Sequence, residues 1–217
     1  MKRIILSSVL LTVITLLAVA CSKDDAGQTN TPDSTTPESN NDAKTGVSFG
    51  KTLVVFYSYT NNCRDIVSNL SSQIEADIVE ISPAEKGLKY EANNYALGTE
   101  LLNAIKANPT DANSYPAIDP VTTQLDSYST IIIVTPLWWS QMSPIMQTYL
   151  FGNGPKMSGK NIGLIVSSAS SGITEVVNDC KRLVPKGNYL SEQLWINNSN
   201  RSKLSSLIQS WLANVKD

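Results

Sequence analysis

The chain has 217 residues, 41% of them apolar, a formal net charge of −2 and no histidine. That size suits one domain with appendages, and the missing imidazoles exclude a histidine general base or a histidine metal ligand. Cys21, Cys63 and Cys180 lie too far apart for a standard metal cage, and no basic run points to nucleic acid.

Residues 1–20 read as a targeting segment. Lys2 and Arg3 open it, and Ile4 to Ala20 is apolar with only Ser and Thr interruptions, short for a membrane span. Ala18-Val19-Ala20-Cys21 resembles a bacterial lipobox, so residues 1–20 are expected to be a lipoprotein signal peptide and Cys21 the acylated residue. Acyl chains on one residue anchor by burying methylenes, which puts the chain on the bacterial cell envelope, periplasmic or at the cell surface. Residues 21–50 are dominated by Ser, Thr, Asn, Asp, Gly and Pro, a composition that cannot offset its ordering entropy, and are expected to be a disordered tether.

From Lys51 to Asp217 strands and helices alternate. Leu53 to Phe56 is a continuous apolar run, the pattern of a strand covered on both faces. The helix after it starts near Cys63, with Ile66, Val67 and Leu70 on one side. Ala76 to Ile81 alternates and predicts a second strand near an edge. Asn93 to Ala107 has helical spacing and ends at Asn108-Pro109. Thr130 to Val134 predicts a central strand, and Pro136 is expected to force the chain out of the sheet. Ile145 to Phe151 predicts a helix with Pro144 in its first turn. A fourth strand follows over Ile162 to Val166, then a helix over Ile173 to Val184, a fifth strand over Tyr189 to Ile196, and a last helix over Ser199 to Val215. Five strands separated by helices imply right-handed crossovers, a parallel sheet and a three-layer α/β/α sandwich.

Three strand ends carry polar or aromatic loops: Ser58–Cys63, Thr135–Pro144 and Ser167–Gly172. In a parallel sheet of order 2-1-3-4-5 these meet at the crevice where the order reverses, the usual ligand position. The first loop enters a helix N-terminus, whose unpaired N–H groups and dipole favour an anion.

The domain resembles the flavodoxin-like FMN-binding family, in the branch whose second loop reads Pro-x-Trp-Trp before a Pro-led helix. Ser58-Tyr59-Thr60-Asn61-Asn62-Cys63 is similar to the family's Ser/Thr-x-Thr-Gly-x-Thr, with Asn61 in place of Gly and Cys63 in place of the last hydroxyl. Pro136-Leu137-Trp138-Trp139 matches the second motif. Ser167-Ser168-Ala169-Ser170-Ser171-Gly172 is similar to Thr-Ser-Gly-Gly-Ser-Gly without its middle glycines. The resemblance implies FMN as cofactor. Backbone N–H groups of Tyr59 to Cys63 and the hydroxyls of Ser58 and Thr60 would take its phosphate. Pro136, Leu137, Trp138 and Trp139, with Ser167, Ser168, Ala169, Ser170 and Gly172 opposite, would hold the ring. Trp138 would stack and Trp139 would pack inward. No catalytic side chain and no metal is required.

Other readings stay open. The two tryptophans also suit a core pair with one exposed partner-binding residue, Tyr59 suits solvent as well as a ring edge, and Cys63 suits a reactive thiol or a small filler. The resemblance implies electron transfer or NAD(P)H- or quinone-type reduction, with a redox partner protein or a small-molecule acceptor. From Lys51 onward 13 Lys+Arg face 14 Asp+Glu, a net of −1 without the acidic field that steers a shuttle to a basic partner, which favours a small molecule. The alternative is a flavodoxin-like domain that has lost FMN and serves as a binding or scaffold module.

Overall fold

The computed structural model describes residues 49–215. The expected signal peptide, Cys21 and the tether as far as residue 48 lie outside the described residues. Phe49, inside the segment read as a tether, packs on the core, and its carbonyl accepts from the hydroxyls of Thr52 and Thr130.

The apolar runs become strands β1 (Thr52–Phe56), β2 (Asp77–Glu80), β3 (Thr130–Trp138), β4 (Gln141–Met142), β5 (Asn161–Ser167), β6 (Asn188–Tyr189) and β7 (Leu194–Ile196). The parallel order is β2-β1-β3-β5-β6, with β7 also on β5 and β4 antiparallel to β3. With β6 and β7 taken as two pieces of one strand, this is the expected 2-1-3-4-5 order. β1 is buried throughout, while β2, at the edge, is mostly exposed.

Among the described residues, five α-helices cover the sheet: α1 (Asn62–Ser71), α2 (Ala92–Ala107), α3 (Pro144–Asn153), α4 (Thr174–Leu183) and α5 (Leu204–Asn214). Alternate strand residues point to opposite faces. Leu53, Val55, Ile131, Ile133 and Leu164 meet Ile105 of α2, Ile145 and Tyr149 of α3 and Val176 of α4. Val54, Phe56, Ile132, Val134 and Ile165 meet Ile66 and Leu70 of α1 and Ile208 and Trp211 of α5. Cys63 lies in the second cluster and Cys180 in the first, both as free thiols, so the sheet stands between them.

Three expectations need correction. Pro136 does not end β3. It pairs in register with Ser167, and the strand runs on to Trp138. The Val134 carbonyl accepts from Tyr57 on the β1 side, and Pro136 shares that side by the two-residue period. Past the end of β1, Ser143 faces Pro136 and donates its N–H to the Pro136 carbonyl at 3.3 Å, while the Ser143 carbonyl accepts from the Gln147 N–H at 3.0 Å, so the missing N–H leaves no ladder bond unmade.

The fifth strand is split. Ile162 pairs with Tyr189 but Ile165 with Leu194, so the outer chain spends two extra residues between the pairs. The Trp211 indole fills against Gly163 there and donates to the Glu192 carbonyl at 2.9 Å, occupying an acceptor the ladder leaves free.

The helix expected from Asn93 is not right-handed at its start. Asn93, Asn94 and Tyr95 have φ of 51°, 55° and 61°. Asn tolerates this region, but a bulky residue does so at about 1–2 kcal/mol.

Among the described residues, no helix is long and apolar enough to cross a membrane.

Candidate functional site

At the C-terminal ends of β1, β3 and β5 the chain leaves two cavities that share walls. The smaller, about 110 Å³, is lined by Ser58, Tyr59, Thr60, Asn62, Cys63, Pro136, Leu137, Trp138, Ser167, Ser168 and Ala169. The larger, about 580 Å³, is lined by Tyr59, Thr60, Tyr90, Glu91, Tyr95, Trp138 and Trp139. Tyr59, Thr60 and Trp138 belong to both. The three loops singled out by sequence therefore meet at one place. Asn61, Ser170 and Gly172 are not among the residues that line either cavity.

The small cavity sits at the N-terminus of α1, a position that favours an anion. The chain turns into α1 through Asn61, whose φ of 64° and ψ of −6° are left-handed. This is why glycine suits the position, and why asparagine, the side chain that best tolerates that region, replaces it without undoing the turn. Arg64 donates its guanidinium to the Asn61 amide oxygen and to Glu80, which pins the turn from outside. The backbone N–H groups of Tyr59 to Cys63 make no hydrogen bond among the described residues, as expected for a loop feeding a helix N-terminus. Ser58 Oγ accepts from the Arg64 N–H at 3.2 Å, leaving its own hydrogen free to donate. Arg201, which the sequence reading missed, reaches from the turn before α5 to Asp65 at 2.8 Å and the Asn62 carbonyl at 3.4 Å. It adds positive charge at the mouth of the helix.

Cys63 shows almost none of its surface, and burial pushes its thiol far up, against the smaller opposing effect of Arg201. The reactive-thiol reading fails on that ground, and the filler reading stands.

The opposite wall is a braced loop. Ser168 Oγ accepts from the Trp195 indole at 2.8 Å and donates to the Ser171 carbonyl at 2.9 Å, so its hydroxyl is committed to the loop. The Ser168 N–H donates to the Ile196 carbonyl and Asn198 N–H to the Ala169 carbonyl.

The aromatic wall stands on a two-residue hairpin. Leu137 pairs with Met142 and Trp138 with Gln141, leaving Trp139 and Ser140 as the turn, with φ of 46° and 68°. Two positive φ values match the twist of a tight hairpin, but neither residue is the Gly or Asn that adopts them readily. Side chains from two helices hold the arm. Asp179 Oδ2 accepts from the Met142 N–H at 3.1 Å. Gln147, fully buried, donates to the Met142 carbonyl at 2.7 Å and accepts from Arg182 at 2.8 Å.

Trp138 is half-buried among rings. Tyr90 tilts over it at 4.6 Å, and Tyr57 and Tyr59 meet its edge at 6.0 and 6.2 Å. Trp139 does not pack inward as expected. It is 46% exposed and lies across Gly98 of α2, where an added Cβ would sit 2.8 Å from the indole. Tyr95 meets it edge-on at 5.9 Å.

Tyr59 donates its hydroxyl to Glu91 and accepts from the Tyr90 N–H. That hydrogen bond holds the exposed Glu91 carboxyl below its usual range and raises the Tyr59 hydroxyl. The Tyr90 hydroxyl is buried with no hydrogen-bonding partner. The Tyr57 hydroxyl is near enough to affect its titration but not in bonding geometry, and burial raises both.

Tyr90 and Glu91 come from the long crossover before α2, and Tyr95 from the left-handed start of α2, where nothing in the pattern marks them. The one signal was that residues 82–115 exceed what a crossover needs.

A parallel α/β/α sheet with such loops at its reversal point defines the doubly wound α/β class. Within it, the chain belongs to the flavodoxin family: the model described as Flavodoxin matches residues 51–215. No curated protein matches the chain. Among solved structures it is similar to a Bacteroides eggerthii protein with a provisional flavoprotein assignment, at 21% identity over 74% of this chain and 96% of that one, TM-score 0.59. A Bacteroides uniformis protein with the same provisional assignment shares 24% identity over 74% and 98%, TM-score 0.56. A Lactobacillus acidophilus flavoprotein, solved in complex with FMN, shares 19% identity over 71% and 98%, TM-score 0.56. Likeness at these identities speaks to the fold.

Proposed function

We propose that the chain binds FMN across the two cavities and serves as an envelope-anchored flavoprotein, in electron transfer or as a reductase of a small molecule. The observation that carries this reading is the joining of a polar cradle of about 110 Å³ to an aromatic cavity of about 580 Å³ through Tyr59, Thr60 and Trp138. The residues present fit the group. A cradle of unpaired N–H groups suits a phosphate, a ring-walled slot suits an isoalloxazine, and the unsatisfied Tyr90 hydroxyl suits a polar atom of a ligand.

The N–H groups of Tyr59 to Cys63 and the Ser58 and Thr60 hydroxyls would hold the phosphate, with Arg201 adding charge. Trp138 would face the ring, Trp139 and Tyr95 would cover its outer side, and the braced Ser167–Ala169 loop would form the opposite wall. When bound, the flavin supplies the electron chemistry. The protein's own part is to orient the ring and exclude water. The redox partner is a small-molecule acceptor or a protein, and the near-neutral domain favours the former.

The test is a visible spectrum of the purified chain, followed by titration with FMN. The expected result is stoichiometric quenching of FMN fluorescence at micromolar concentration. A colourless protein that leaves FMN fluorescence unchanged overturns the reading in favour of a binding or scaffold module.

A further inference from the structure

We propose that the end of the sheet opposite the cavities is a docking face for anionic lipid headgroups, and that it holds the domain with its cavities turned away from the membrane. The inference rests on the envelope reading above, which brings a lipid surface within reach, and it needs no bound flavin.

Four lysines meet at that end. The parallel strands β1, β3, β5 and β6 all start there. Lys160 precedes β5, Lys186 precedes β6, Lys156 lies in the turn Gly154–Met157 after α3, and Lys181 lies in the last turn of α4. Backbone bonds lash these segments together. The Gly159 N–H donates to the Lys186 carbonyl at 2.8 Å, the Lys160 N–H to the Met157 carbonyl at 3.2 Å and the Asn188 N–H to the Lys160 carbonyl at 2.9 Å. Gly154 packs so closely on the Leu183 carbonyl that an added Cβ would lie 2.0 Å from it. The fold therefore holds these charges as a group. Lys156, Lys181 and Lys186 are exposed, and none of the four lysines makes an ion pair among the described residues. Asp77 also lies at this end, but at the β2 edge, where Lys51 and Tyr128 engage it. Asp126, in the turn before β3, offsets one of the four charges.

The chain enters at the same end. The Ser129 N–H donates to the Lys51 carbonyl at 2.9 Å and the Asn161 N–H to the Ser129 carbonyl at 3.0 Å, so backbone bonds lead from the start of β1 to the lysines. The proposed tether, residues 21–48, has the reach of a coil, about 30 Å. Kept within that distance, the face meets the surface at a high effective concentration, and a weak patch suffices. Each lysine close to an anionic surface is worth about a fivefold factor in binding. The cavities lie at the far end of β5, whose seven residues span about 20 Å. That is about two screening lengths, so the lipid charge does not reach them. An acidic protein would feel the same lysines, but only a tethered surface is placed by the chain's own point of entry.

The experiment uses the full chain expressed in a bacterium, with its intact mass reporting any acyl chain on Cys21. The chain is placed on vesicles that carry a dansyl headgroup probe, made of phosphatidylcholine alone or mixed with phosphatidylglycerol, and energy transfer from its tryptophans is read. Transfer is expected to rise on the anionic vesicles and to fall back to the neutral level in high salt. Combining Lys156→Gln, Lys181→Gln and Lys186→Gln should weaken docking on the order of a hundredfold and abolish the rise, with the helix signal unchanged. Combining Lys89→Gln and Lys203→Gln, outside this face, should keep it. Equal transfer on the two vesicle types, a rise that survives the triple substitution, or binding to polyglutamate but not to anionic vesicles overturns the inference. A chain without acyl groups that still sediments with anionic and not with neutral vesicles fells the anchoring reading alone. A chain without acyl groups that sediments with neither fells both.

Discussion

Tyr90 leans over the indole of Trp138, ring centroids 4.6 Å apart at 57°, and its buried hydroxyl has no hydrogen-bonding partner. An unsatisfied buried hydroxyl costs about 1–3 kcal/mol, so its removal should not harm the flavin-free fold. Tyr90→Phe is expected to leave the urea midpoint unchanged or raised, and at the same time to weaken FMN severalfold. A loss of stability with unchanged FMN affinity would show that the hydroxyl serves the fold instead.

Trp138→Ala removes a ring shared by both cavities. A stacked aromatic contact is worth about 0.5–1.5 kcal/mol beyond its buried area, so FMN should bind at least about tenfold more weakly, with a shifted potential. Fluorescence titration and a redox titration check both, and an unchanged affinity removes the stacking assignment.

Asn61 holds a left-handed turn with φ of 64°. Asn61→Gly should be neutral in the fold despite the lost Arg64 contact, whereas Asn61→Val should cost about 1–2 kcal/mol, the penalty for a branched residue in that region. Denaturant unfolding of the pair separates turn strain from the lost side-chain bond, which both variants share.

Gln147 bridges the hairpin arm to Arg182 from a fully buried position. Gln147→Ala strands the Met142 carbonyl and should destabilise the domain by about 1–3 kcal/mol. It should also loosen the tryptophan arm, read as a change in indole emission before any loss of helix signal.

Cys63 and Cys180 are both held protonated by burial, and Cys180 is pushed up to about 12, while an exposed thiol stays near 9.0. In the window above about 9 the unfolded chain has therefore released these protons and the folded chain has not. Their contribution to stability is fully present below pH 9 and is lost as pH rises through the folded values. Urea midpoints should fall between pH 8 and pH 10.5, and mass mapping should find both cysteines unmodified by a thiol reagent until the domain unfolds.

The fold was legible because its strands are uninterrupted apolar runs. Leu53–Phe56 and Thr130–Val134 can only be covered on both faces, and that fixes helices on both sides. The site was legible where it sits at strand ends. It was not legible at Tyr90 and Glu91, which come from an irregular crossover, or at Tyr95 in the left-handed start of α2, all of which reach the cavity by tertiary packing alone. Arg201 was hidden for the same reason, since it reaches α1 from the far end of the chain. Pro136 misled because the rule against proline in a strand depends on whether the facing carbonyl needs a donor, and that of Ser143 is already taken by the Gln147 N–H, which no local pattern records. Trp139 misled because its exposure is set by a hairpin turn and by the absence of a side chain at Gly98.

The placement of the two domain thiols on opposite sides of the sheet has a consequence for how its layers hold together. The sheet stands between the two sulfurs, and neither can reach the other without the core opening. The two helix layers are therefore joined through the sheet by packing, and not by a bond between these sulfurs.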